Sequence, residues 1–144
     1  MTLIEAVDFF KEKKGICSQA IFTMYNDKLN LGNVDHDTCM KISSAFCGGN
    51  AYTGNICGAL MILGLKYGVS DTENASMKEE MKAVSMSQKL LEEFKDMKGS
   101  IYCKDLINHE LKTCEDIQKA FENKAFDNCP KFVENTSKIL DQLL

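Results

Sequence analysis

Apolar residues recur at spacings of three and four along almost the whole chain, the period of a helix that turns one face inward. One proline and nine glycines in 144 residues leave few breaks in that pattern. It predicts an all-α fold, a single compact bundle of about seven helices spanning residues 1–144. A first helix starts at Thr2, which pairs with Glu5 as a capping box ahead of Val7, Phe9 and Phe10, and stops at Lys14 and Gly15. A second runs from Ile16 to Leu29 with Cys17, Ala20, Ile21 and Met24 on one face, and Gly32 and Asn33 close it. Asp35 caps a third, in which Cys39, Ile42 and Phe46 share a stripe, and Cys47-Gly48-Gly49 breaks it.

From Asn55 to Tyr67 the sequence is apolar almost all round, the mark of a central buried helix, with Gly54, Gly58 and Gly64 leaving room for close approach. A long amphipathic helix follows from Ser76 to Lys98, capped by Ser76 with Glu79, with Met77, Met81, Val84, Leu91, Phe94 and Met97 expected inward; Gly99 ends it. Three shorter helices fill the remainder, near Tyr102 to Asn108, Cys114 to Phe121 and Pro130 to Leu144. No internal repeat, low-complexity tract or linker divides the chain.

Charge removes several classes of function. The net charge is −4, and all 17 cationic side chains are lysines, so the arginine fork that suits phosphate and guanine is missing and nucleic acid is not an expected partner. The longest apolar run, Ile56 to Leu65, falls well short of the roughly 20 residues that span a bilayer. Glu5, Asp8 and Glu12 interrupt the start, unlike a secretory leader, so a cytoplasmic protein is expected. His36 and His109 sit in polar surroundings, and no HExxH, GxGxxG or Walker pattern occurs.

The candidate chemistry lies in seven cysteines: Cys17, Cys39, Cys47, Cys57, Cys103, Cys114 and Cys129. None forms a CxxC pair, so any shared site must be assembled by the fold, and the odd count argues against a disulfide framework. Pro130 suits a first helical position, which makes Cys129 the expected N-cap of the last helix. There the amides and helix dipole favour the thiolate, the form that attacks disulfides and binds metals. Cys17, Cys57 and Cys103 each lie on an apolar face, where a lone cysteine reads as a small hydrophobe; only their convergence would say more. Cys47 precedes two glycines, whose backbone can turn amides toward a sulfur. Cys39 and Cys114 read as structural.

Several segments taken together carry a resemblance. Cys17-Ser18-Gln19-Ala20, the Gly48-Gly49 loop, Cys57-Gly58-Ala59 with the following Leu60 to Gly68, Tyr102-Cys103-Lys104-Asp105-Leu106 and Cys129-Pro130-Lys131-Phe132-Val133 together resemble the C_GCAxxG_C_C family of putative redox-active proteins. The resemblance implies that Cys17, Cys57, Cys103 and Cys129 are the four cysteines for which that family is named. One departure stands out: the motif expects glycine three residues after Ala59, and Ile62 occupies that place.

The leading expectation is a redox module in which Cys17, Cys57, Cys103 and Cys129, with Cys47 as a further candidate, hold an iron-sulfur cluster or alternatively zinc. Electron transfer or redox sensing with a redox protein partner would follow, self-association being left open. The alternative is a metal-free thiol-disulfide protein, with Cys129 as nucleophile and one of Cys17, Cys57 or Cys103 resolving. A further reading is a helical interaction domain whose cysteines only pack.

Overall fold

A computed structural model describes residues 7–9, 11–12, 14–31, 33–46 and 54–144, with the side chains of 54–57 excluded. The predicted start at Thr2 and the Cys47 to Gly49 break therefore lie outside the described residues. What is described is all-helical: α1 (Cys17–Leu29), α2 (His36–Ser44), α3 (Gly54–Tyr67), α4 (Met77–Glu80), α5 (Lys82–Lys98), α6 (Cys103–Leu106), α7 (Cys114–Glu122) and α8 (Cys129–Leu143).

Local chemistry sets most of these limits. Asp35 accepts from the Thr38 amide at 2.9 Å and so caps α2. Ser76 accepts from Glu79 N at 3.2 Å ahead of α4. Thr113 and Asp116 form a reciprocal capping box at the start of α7. Gly99 takes the left-handed conformation that ends α5, at φ +83°. Helix α1 ends at Leu29 as expected, but Asn30 closes it ahead of Gly32 and Asn33, adopting φ +47° with its amide returned to the Asn26 carbonyl.

Helix α1 lies against α2, α3 and α8, and α5 against α3 and α8, around one apolar cluster. Ile21, Ile62, Leu63, Leu90, Phe94, Val133, Ile139 and Leu140 are among its buried members. Gly58 sets the α1 to α3 spacing: a Cβ there would stand 2.8 Å from the Ser18 carbonyl oxygen. Gly64, by contrast, is exposed with nothing within 4 Å, so it has no part in close approach. Helix α3 is accordingly buried along one face and not all round, with Lys66 as well as Gly64 in solvent.

Polar ties cross the same interfaces. Ser18 Oγ donates to the Ser43 carbonyl at 2.9 Å and Gln19 Nε2 to the Met40 carbonyl at 3.0 Å, fastening α1 to α2. Tyr25 joins α1 to α8, its hydroxyl donating to Asp141 Oδ1 at 2.6 Å with the Ser137 carbonyl oxygen 3.1 Å away. Tyr67 donates to the Leu143 carbonyl, joining α3 to the end of α8.

Two expectations of inward side chains are corrected. The helix expected from Ser76 to Lys98 divides at Met81 into α4 and α5, and Met77, Met81, Val84 and Met97 are exposed, Met77 by 74%. The inward residues of α5 are Leu90 and Phe94, with Leu91 half-buried. Ile42 likewise faces outward from α2, although Cys39 on the same helix is fully buried. No helix among the described residues is long and apolar enough to cross a membrane.

Candidate functional site

Cys17, Cys103 and Cys129 are each the first residue of a helix, of α1, α6 and α8 respectively. Each start is fixed by its own sequence. Ahead of α1, Gln19 Oε1 accepts from the Ile16 amide at 3.0 Å while its Nε2 reaches α2, so one side chain positions the turn that carries Cys17. Before α6, Ser100 Oγ accepts from Tyr102 N at 3.1 Å and donates to Asp105 Oδ2 at 2.8 Å. Before α8, the turn at 123–128 opens with Lys124 at φ +56° and closes with Cys129 N donating to the Phe126 carbonyl at 3.0 Å.

Helix packing brings these three starts together. Cys17, Cys103 and Cys129 line a single cavity of about 20 Å³ whose remaining walls are Leu106, Ile107 and Phe132. Three cysteines separated by dozens of residues thus meet on one apolar surface. Lys98 Nζ lies 5.9 Å from the centre of the Phe132 ring.

Electrostatics at the site depart from expectation in one respect. Cys129 is the first helical residue and Asn128 the N-cap, one position earlier than predicted, with Pro130 second in the helix. Its thiol is not acidified. Burial, the neighbouring Cys103 and then Asp127 push it from an ordinary 9.0 up to about 12. The magnitudes explain the outcome: a helix N-terminus contributes typically 0.3–1 kcal/mol, whereas a rise of three units corresponds to about 4 kcal/mol.

The other cysteines fall elsewhere or outside the description. Cys57 stands in α3 immediately before Gly58, whose backbone abuts Ser18, so residue 57 lies beside the start of α1; its side chain is outside the described residues. Cys47 is outside them altogether. Cys39 is buried in the core, its thiol pushed up by burial and then by Asp27 and Asp35. Cys114 is exposed at the start of α7. His36 is exposed and pairs with Asp27 at 2.8 Å, and His109 contacts the Glu110 carbonyl, both away from the cavity.

A cofactor can be tested against this geometry. Three sulfurs are the right donor chemistry for iron-sulfur clusters or zinc. The described cavity, however, has room for about one water-sized atom, which does not accommodate several irons and sulfides. Nor is any group of three or more His, Cys, Asp or Glu side chains among the described residues arranged to hold a metal ion.

The family described as Putative redox-active protein (C_GCAxxG_C_C) matches residues 16–143. The chain belongs to this family. No curated protein and no solved structure matches it. In this C_GCAxxG_C_C protein the motif's departure at Ile62 has a structural setting: Ile62 is fully buried in the core, where a glycine would leave a void. Leu106 and Ile107 are the apolar residues that share a face with Cys103 in the sequence, and Phe132 is the wall residue that sequence reasoning missed. Its signal was available as an apolar position three residues after Cys129, a spacing that shares a helix face.

Proposed function

We propose that this C_GCAxxG_C_C protein carries out redox chemistry at sulfur, cycling cysteine thiols of the α1, α6 and α8 starts between dithiol and disulfide in exchange with a redox protein partner. The observation that carries this reading is the meeting of Cys17, Cys103 and Cys129 on one small apolar cavity. An apolar wall disfavours thiolates, as the raised Cys129 shows, but a disulfide is uncharged and is at home there. Exchange needs only sulfurs that can approach one another and a disulfide to react with.

The competing reading is a cluster or zinc ion held by Cys17, Cys103, Cys129 and Cys57, and one preparation separates the two. Protein purified without oxygen is analysed for iron, zinc and acid-labile sulfide, and its reactive thiols are counted before and after mild oxidation with diamide. A colourless protein that loses thiols in pairs supports the exchange reading. Stoichiometric iron with sulfide, or stoichiometric zinc, overturns it in favour of a metal centre.

A further inference from the structure

Resting on that reading, we infer that Cys103 and Cys129 are the pair that closes the disulfide, with Cys103 attacking the substrate disulfide and Cys129 resolving the intermediate. The placement of the two helices decides the pairing. Both sulfurs line the same cavity, and the charge of Cys103 acts on Cys129, which puts the two groups near one another. Bond formation requires the chain to bring sulfurs to about 2.05 Å and alpha carbons to within about 7 Å. Of the three segments, only α6 is built to yield. It is a four-residue helix with no buried residue, bounded by turns at Ser100 and Asn108, and is held to the core mainly through Leu106. Helix α1 is locked by Ser18, Ala20, Ile21, Phe22 and Thr23, all buried, and α8 by Val133, Thr136, Ile139 and Leu140. Short segments with few buried contacts open most readily.

The same asymmetry assigns the roles. Cys103, on the segment that yields, is the sulfur able to reach a substrate disulfide, whereas Cys129 stands at the anchored start of α8 with its thiol pushed up by burial. It can still act intramolecularly, where the effective concentration of the bound partner is high. In the first step the Cys103 sulfur bonds to one sulfur of the substrate disulfide and expels the other. In the second, the Cys129 sulfur bonds to that of Cys103 and expels the remaining half. The protons of Cys103 and Cys129 end on the two departing thiols, so the cysteine pair loses two electrons and the substrate disulfide gains them. Cys17 takes no part in either bond and is left as a wall of the cavity.

Glutathione disulfide is the probe, used on the full chain with products mapped by peptide mass spectrometry. In the unmodified protein the expected product is one disulfide joining Cys103 to Cys129. In C129S glutathione stays attached to Cys103, and C17S closes the wild-type disulfide. The closing step is expected to accelerate as pH rises above 7 and Cys129 ionises. A disulfide from Cys17 or Cys57 to either residue, or glutathione retained on Cys129 in C103S at neutral pH faster than on Cys103 in C129S, overturns the assignment while leaving sulfur redox chemistry standing. Stoichiometric metal in the same preparation, or the absence of any disulfide, removes the underlying reading as well. Mapping the unmodified protein needs no variant to fold, so the pairing is decided in every case.

Discussion

Single residues in this chain act through what their backbone neighbours permit. Gly58 and Gly64 look alike in the sequence, one helical turn and a half apart on an apolar stretch, and both were read as spacers. Only Gly58 is one, because its missing Cβ lets the Ser18 carbonyl approach to a point 2.8 Å from where that atom would sit, with Ile21 Cβ at 3.1 Å. Gly58→Ala is expected to cost about 1–3 kcal/mol by forcing α1 and α3 apart. Gly64→Ala, in open solvent, is expected to stabilise by about 0.5–1 kcal/mol through helix propensity. Urea unfolding of the two variants checks both; a Gly58→Ala protein as stable as the parent would show that the α1 to α3 contact relaxes freely. Cys129 shows the same dependence on surroundings. Its place at a helix start was legible to within one residue, but the burial that outweighs the dipole belongs to residues far away in sequence.

At the level of helices, sequence reading succeeded where a side chain acts on its own turn. Asp35, Ser76 and Gly99 each announced a boundary, and the structure uses each one. It failed where two apolar stripes competed for the core. Met77, Met81 and Val84 continue a three-four pattern into Leu91, but the interruption at Met81 and the packing of α5 turn Leu90 and Phe94 inward. Periodicity cannot choose between stripes about 100° apart, because the choice lies with the partner helices α3 and α8. The consequence is measurable. Met77→Lys and Met81→Lys are each expected to change stability by no more than about 0.5 kcal/mol, whereas Phe94→Ala should cost about 3–5 kcal/mol. Comparable losses from all three in urea titrations would restore the methionines to the core. The convergence of Cys17, Cys103 and Cys129 was illegible for the same reason: nothing local to α1, α6 or α8 says that their first residues share a cavity.

The whole molecule couples sulfur chemistry to stability through one half-buried thiol and one buried phenol. Cys129 is held at about 12 by burial and Cys103, and Tyr25 is held above its ordinary 10.0 first by burial and then by its hydrogen bond to Asp141. In the unfolded chain each group ionises near its ordinary value. Below pH 9 both states keep both protons and stability is intact; as pH climbs toward 12 the unfolded chain releases its protons first, and stability is lost. Cys129 alone accounts for a loss on the order of 4 kcal/mol across that window, and Tyr25 adds to it above pH 10. Urea midpoints measured at pH 7, 9 and 11 under reducing conditions should fall steeply only in the last interval, and less steeply in C129A. Oxidation should cancel the cysteine part of this loss, since a disulfide has no proton to release. Closing a loop of about 25 residues between Cys103 and Cys129 should also stabilise by roughly 3 kcal/mol. The oxidised protein is therefore expected to melt higher than the reduced one at pH 7 and by a wider margin at pH 11. An oxidised form less stable than the reduced form would mean that the disulfide strains α6 against the core, and that the cavity is shaped to keep its sulfurs apart.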